Sequence, residues 1–297
     1  MQGFEINMAG TWYDLNDKTT YKVMGYDNLG MAPGHDISER GPMQHGETYV
    51  GQRLDPRIFS LAIRVMGSTA SAMAANRLAL YLMFKPRSSL VAMRFTTADG
   101  RVGHLDCTFA GGLELGQTGK DSPLSIKTAV SMKAPNPTFY DPVAKAVTFQ
   151  LGASAGAGMA IPTAIPTAIG SSTVNSSKVV STSGSWLTYP QIRITGPITS
   201  PIITNTSTDE TLDFTGTTIA VGHYYDIDCR YGYKTIYYDG GTTSKIADLT
   251  SASDLATFHL ESAPEIPGGH NNITVTGTSA TAATKVEMTY FDRYIGI

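Results

Sequence analysis

Residues 59–86 read FSLAIRVMGSTASAMAANRLALYLMFKP, and the way this stretch splits in two decides the fold. Its first part, FSLAIRVMG (59–67), is strand-like, whereas from Ser68 to Pro86 it holds Ala, Leu, Met, Asn and Arg with no β-branched residue after Thr69. β-Branched side chains lose rotamer freedom against the preceding helical turn, so their absence favours a helix. The run predicts a helix near 69–85, capped by Ser68 or Ser71 and ended ahead of Pro86, whose ring disfavours a helical residue before it. At about 100° per residue, Met73, Leu80, Tyr81 and Phe84 form one stripe, and Leu78, Leu82 and Met83 fall outside it. A helix apolar on more than one side must be covered on more than one side, by its own sheet and by a neighbouring domain or subunit.

Outward from the helix the signals are those of strands. SSLVAMRFTT (88–97), RVGHLDCTFAG (101–111) and PLSIKTAVSM (123–132) are β-rich or alternating, with turn chemistry at Ala98-Asp99-Gly100 and Gly111-Gly112. Ahead of residue 59 lies a long arm with little periodicity and much Gly and Pro (MGYDNLGMAPGHD, ERGPMQHGE), of a kind that commonly serves binding. APNPTFYDP (134–142) holds three prolines in nine positions, which stiffens the chain and excludes helix and central strand. A boundary is expected there, giving a domain of residues 1–135 and a second of 136–297, with Pro135, Pro137, Tyr140 and Pro142 as a candidate hinge. Beyond it no helical pattern appears. Short strand candidates such as KAVTFQLG, PQIRITGPI, HYYDIDCRYGYKTIYYDG and TKVEMTYFDRYIG recur between turns, the pattern of an antiparallel sandwich. IPTAIPTAI (161–169) reads as a Pro-punctuated edge strand. The fold class is therefore mainly β: an N-terminal β-domain with one helix and a C-terminal antiparallel β-sandwich.

Composition narrows the function. Of 297 residues only 16% are charged, against about 25% in ordinary globular chains, and the formal charge is −3. Such a chain lacks the basic footprint of a sequence-specific nucleic-acid binder. The N-terminus MQGFEINMAG has no basic segment followed by an apolar run, so no secretory signal is expected, and no apolar stretch approaches the about 18–20 residues of a membrane span. Cys107 and Cys229 stand alone in apolar segments and read as buried free thiols.

Catalytic motifs are missing: no metalloprotease helix, phosphate-cradling loop, nucleophile elbow or dinucleotide fingerprint. His104 and His259 alternate with apolar residues and read as partly exposed strand histidines rather than ligands. Asp226 and Asp228 share one face of a strand and could hold calcium or act as an acid/base pair, but without an adjacent acidic loop they read as a solvated face. Aromatic residues cluster in the second half. Trp186, Tyr231, Tyr233 and Tyr237 are candidates for a glycan platform, the three tyrosines sharing a strand face by alternation; core packing is the competing reading. The charges of GPMQHGETYVGQRLDPR (41–57) have no nucleophile with a partnered base beside them and look like fastening chemistry.

Three stretches together carry a family resemblance: LGMAPGHDISERGPMQHGETYVGQRLDPRIFSL (29–61), APNPTFYDP (134–142), and Trp186 with PQIRITGPITSPIITN (190–205) and PGGHNNI (267–273). Together they resemble the distal tail proteins of long-tailed bacteriophages over nearly the whole chain. The resemblance implies an N-terminal domain related to the tail-tube fold that assembles with itself into a ring, commonly a hexamer, at the distal end of the virion tail. It also implies a C-terminal galectin-like or carbohydrate-module-like sandwich projecting towards receptor-binding parts. The implied protein is not an enzyme, needs no cofactor, and is made in the host cytoplasm. Its implied partners are the tail tube or tail terminal proteins above and the tip hub or fibre below, with the genome passing through its channel. On the matching positions, Gln44, His45 and Gly46 with Arg53, Leu54, Asp55 and Arg57 become candidate subunit-interface residues, Arg53 or Arg57 pairing a carboxylate of the same or an adjacent chain. A local turn stapled by Arg57 to Asp55 or Glu47 is the alternative. Two departures from the family pattern, Ala32 in Met31-Ala32-Pro33 and the acidic Asp209-Glu210, bear mainly on the geometry of the second domain.

Overall fold

A computed structural model gives the fold and describes residues 3–115, 124–152 and 174–297. The chain forms two compact units, Met1–Pro142 with Tyr294–Ile297, and Val143–Arg293. IPTAIPTAI (161–169) lies outside the described residues.

The first unit holds β1 (Gly3–Met8), β2 (Thr11–Asp14), β3 (Tyr21–Asp27), β4 (Gly34–Glu39), β5 (Thr48–Leu54), β6 (Arg57–Met66), α1 (Ala70–Phe84), β7 (Val91–Thr96), β8 (Val102–Gly112), β9 (Ser125–Ala134) and β10 (Phe139–Tyr140). Its main sheet runs β2-β1-β7-β8-β9-β6-β3, with β10 paired to β8 off that path. β6 alternates buried and half-exposed residues along its length, as a strand with one face on a core must. Phe59 and Phe139 each meet Phe95 edge to face, with ring centroids 5.8 and 5.7 Å apart. The helix spans the gap between β6 and β7, which are not neighbours in the sheet, and buries Met73, Leu80, Met83 and Phe84.

Two details of the opening stretch differ from the sequence reading, and Gly67 adds a third that it did not address. The helix is capped by neither Ser68 nor Ser71 but by Thr69, whose side chain accepts the Ala72 amide at 3.1 Å. Met83 is buried and Tyr81 exposed, because the buried stripe is centred on Leu80 and runs through Met83 and Phe84. Gly67 is required where strand gives way to helix: a Cβ there would lie 2.5 Å from the Met73 amide nitrogen.

The second unit holds β11 (Lys145–Gln150), β12 (Val174–Ser181), β13 (Gln191–Thr195), β14 (Ile198–Asn205), β15 (Glu210–Asp213), β16 (Thr218–Ile219), β17 (Tyr224–Asp228), β18 (Thr235–Tyr238), β19 (His270–Thr278) and β20 (Lys285–Tyr290). They form two antiparallel sheets, β11-β20-β13-β17-β18 and β12-β19-β14-β15, with β16 on β14. Ile192, Ile194, Ile227, Val286 and Met288 from the first sheet share a buried core with Val180, Ile203, Leu212, Ile273 and Val275 from the second. The two-residue period puts every second side chain into that core.

After β20 the chain leaves the sandwich. β21 (Arg293–Tyr294) pairs with β10, and the terminal residues belong to the first unit. The division falls after Pro142 rather than after residue 135, because Phe139 is fully buried in the first core and Tyr140 donates its hydroxyl to Asp106 at 2.9 Å. HYYDIDCRYGYKTIYYDG is likewise two strands, not one: Arg230–Lys234 makes a turn between β17 and β18, with Gly232 and Lys234 at φ 84° and 47°.

Candidate functional sites: an anchored arm and a polar sheet face

The arm ahead of residue 57 is a β-ribbon. β4 and β5 pair only with each other among the described residues, from Gly34 opposite Leu54 to Glu39 opposite Thr48, with a bulge between Ile37 and Ser38. All of β4 and most of β5 is exposed. An isolated two-stranded ribbon is marginally stable at best in water. This one is closed at its tip by Gln44, whose side chain accepts the Gly41 amide at 3.0 Å and donates to Thr48 at 2.9 Å. His45 and Gly46 stand beside it at the exposed tip, and Met43 is fully exposed. At the other end His35 Nδ1 and Arg53 Nε lie 3.6 and 3.8 Å from Asp55, while Leu54 is half-buried.

The two arginines of the arm have opposite fates. Arg53 is mostly exposed, whereas Arg57 is completely buried. The Arg57 fork takes four backbone carbonyls: Pro137 from Nε at 2.9 Å, Asn28 and Gly30 from Nη1 at 2.7 and 2.8 Å, and Ile295 from Nη2 at 2.8 Å. The Phe139 ring centroid lies 4.9 Å from its guanidinium carbon. Burial pulls this guanidinium down to about 10, which still leaves it protonated at neutral pH. Arg57 therefore staples neither Asp55 nor Glu47; Glu47 instead accepts Ser38 Oγ at 2.7 Å. It draws together the start of the arm, the proline-rich segment and the returning C-terminal residues, so the ribbon is rooted at a buried hydrogen-bonded junction of the first unit. Pro135 and Pro137 belong to that proline-rich segment, and Pro142 is the last residue before the second unit.

Around the ribbon the first unit exposes Met31, Tyr49, Val50 and Ile58, and the helix exposes Leu78, Tyr81 and Leu82. This is the second apolar side of the helix.

The second unit exposes different chemistry. Tyr233 and Tyr237 line an open groove with Gln191, Arg193, Asp226, Asp228 and Glu287 on the outward face of the β11-containing sheet. The other two nominated aromatics lie elsewhere: Trp186 bridges to Arg293, and Tyr231 stacks edge-on against Tyr189 at 4.7 Å with Lys234 Nζ 4.9 Å from its ring. Asp226 and Asp228 are not simply solvated. Arg193 grips Asp226 bidentately at 2.7 and 3.0 Å, and Asp228 receives Gln191 Nε2 at 3.0 Å and Arg230 Nη2 at 2.7 Å. The arginine of β13 was the missed signal, since its register places it directly opposite Asp226.

His259 also departs from the sequence reading. It sits outside a strand and is largely buried, with Nδ1 2.9 Å from Glu210 Oε2 and 3.0 Å from the Thr257 carbonyl, and Nε2 3.2 Å from Glu261 Oε2. Both ring nitrogens face only acceptors, an arrangement that suits imidazolium. Burial works against the charge, yet the hydrogen bond to Glu261 and the charge of Glu210 raise its pKa overall. Among the described residues no group of three or more His, Cys, Asp and Glu side chains is placed to hold a metal ion. Burial pushes both cysteine thiols up to about 12, far from a nucleophile's range.

No family model and no curated protein matches the chain. Solved structures do. The Dit (gp 19.1) protein of phage SPP1, described as a paradigm of hub adsorption apparatus in phages infecting Gram-positive hosts, aligns over 98% of both chains at 14% identity with a TM-score of 0.61. A chain of the phage P2 baseplate in its activated conformation with Ca aligns over 99% of both chains at 12% identity, its TM-score of 0.48 being too low to carry an argument. The chain thus shares the fold of the SPP1 Dit protein over 98% of its length.

Proposed function

We propose that this chain is a structural hub of a phage tail tip, assembled into a ring of six copies that joins the end of the tail tube to the baseplate or fibre hub and lets the genome pass. The observation that carries the reading is the rooted ribbon, whose two strands pair only with each other among the described residues. Its exposed Met43, Tyr49 and Val50 need a protein surface, and a second copy supplies one. Closed rings arise when one patch of a subunit meets a different patch of the next, and the exposed helix face with Leu78 and Leu82 is such a patch. The SPP1 likeness adds the whole-chain fold of a phage hub protein. In this reading the protein resides at the distal end of the virion tail.

The test is the purified chain's mass by light scattering, with negative-stain images of the same sample, alone and with tail-tube protein added. We expect six-fold rings with a central hole from the full chain and monomers when residues 35–53 are replaced by a short Gly-Ser turn. A full chain that stays monomeric under both conditions overturns the reading.

A further inference from the structure

We propose that the outward face of β3, β6 and β9 in the first unit is a sequence-independent contact for the phosphate backbone of duplex DNA, an occupant whose choice rests on the hub reading above. The strand register builds the site. Lys22 stands directly opposite Arg64, and Arg64 directly opposite Lys127, so three adjacent strands carry one row of cations. Lys133 lies further along β9 on the same face, since side chains alternate with a period of two. Between the row and Lys133 the face holds small residues: Ala62 stands opposite Gly25 and Ala129, and Ser60 opposite Ser131. The result is a flat surface with cations at both ends.

Like charges directly opposite one another destabilise a strand pair. The chain has only 22 lysines and arginines, yet it sets three of them in register, and among the described residues none of the three forms an ion pair. Arg64 Nε is also buried without an acceptor among those residues. Nearby carboxylates do not cancel the row. Asp27 takes the amide and hydroxyl of Ser60 at 2.6 and 2.7 Å, and Asp17, in the turn before β3, takes the amides of Thr19, Thr20 and Tyr21. Glu114 lines an open cleft with Lys127 and Ala129 without pairing. An anion from outside relieves the row.

Shape selects a polymer. A small anion needs donors that converge on it, whereas this row spans about 10 Å, at about 4.8 Å per strand, on a flat sheet. Duplex DNA presents its phosphates along an extended surface, and cations that neutralise them release condensed counterions. Phosphate contacts read no base sequence, which agrees with a chain of formal charge −3 whose basic strip is local. A ring that turns this face inward repeats the strip once per copy, so contacts too weak alone centre a duplex while letting it slide. An acidic protein surface is the competing occupant, with a lower charge density.

The experiment titrates a short fluorescent DNA duplex of mixed sequence with the full chain, reading anisotropy between about 50 and 200 mM salt. We expect equal binding to a second duplex of unrelated sequence, and a log-log salt slope of about −3, as counterion release from about three or four phosphates gives. Lys22→Gln, Arg64→Gln and Lys127→Gln should each flatten the slope by about one, and Arg64→Lys should retain it. Lys178→Gln removes the same charge from the second unit and should change neither slope nor affinity. Thermal melts verify that each variant is folded. No binding at about 50 mM salt, a slope unmoved by the three glutamine variants, or displacement by an equal charge concentration of poly-L-glutamate overturns the proposal, the last giving the face to an acidic protein surface. Light scattering on the same samples reads assembly separately. Rings that ignore the duplex leave the hub reading standing and overturn this one, whereas a monomer that binds it with the expected slope keeps the face and counts against the ring.

Discussion

The ribbon of the first unit and the sheet face of the second are both exposed β-surfaces, yet they are built on opposite principles. The ribbon presents Met43, Tyr49 and Val50 to water with few partners of its own. The sheet face holds its charges in pairs, Arg193 with Asp226 and Arg230 with Asp228, so most of its polar groups are already satisfied. Exposed apolar area favours a protein cover, whereas a polar lattice whose charges are already paired can stay in water. The same antiparallel hydrogen bonding thus leaves an exposed apolar surface in one unit and a charge-paired polar surface in the other.

The largest way to break this contrast is at the root of the ribbon. Arg57→Ala removes a buried cation and takes its N–H donors from the carbonyls of Asn28, Gly30, Pro137 and Ile295, of which Ile295 keeps the Ala32 amide at 3.0 Å. We expect the first unit to lose about 3–5 kcal/mol, the usual cost of breaking a buried charged network. Urea unfolding followed by tryptophan fluorescence reads it through Trp12 in a Trp186→Phe background that silences the second unit, and Arg57→Lys should restore less than half, because an ammonium cannot reproduce the planar fork. A change below about 1 kcal/mol would show that the ribbon is rooted by something other than this arginine.

A smaller effect tests the second unit. Because the folded-state pKa of His259 is raised, its contribution is fully present below its unfolded value of about 6.5 and is lost as pH rises through the folded value. Glu261 has the opposite sign. Its pKa is lowered, first by the hydrogen bond from His259, so its contribution is present above the ordinary glutamate value and lost as pH falls through the lowered one. The groups facing the imidazole are Glu210, Glu261 and, at 6.2 Å, the Tyr189 ring. The unit should therefore be most stable in mild acid and weaken towards pH 8. His259→Gln should cost about 2 kcal/mol near pH 6, in the range of charged hydrogen bonds, and flatten the pH profile of the melting temperature. A profile equally steep in the variant would place the titration elsewhere.

Much of the fold was legible because its signals are local. The single helix follows from a run without β-branched residues, and the strands from alternation between turns. What was not legible depends on distant partners. Arg57 looks like any surface arginine until Pro137 and Ile295, 80 and 238 residues away in sequence, close around it. The groove was half visible: alternation put Asp226 and Asp228 on one face, but only register across β13 shows that Arg193 converts them from solvated carboxylates into a paired lattice. Tyr231 was grouped with Tyr233 because nothing local marks the turn at Arg230–Lys234 except Gly232.

The smallest expected effect sharpens the contrast most, because it separates folding from assembly within one segment. Arg53 lies four positions before Arg57, is 64% exposed, and reaches only Asp55, at 3.8 Å. Exposed pairs of this kind contribute about 0–1 kcal/mol, so Arg53→Ala should leave the urea midpoint of the isolated subunit almost unmoved. If the ribbon is the subunit contact, the same change removes a guanidinium from a surface that becomes dry on association, where its fork can meet a neighbour's carboxylate. Sedimentation velocity across a dilution series should then show rings of Arg53→Ala dissociating at higher protein concentration than the parent. Unchanged dissociation, with unchanged stability, would remove Arg53 from the interface and leave the apolar residues of the ribbon to carry it, a division of labour that Tyr49→Ser would then expose.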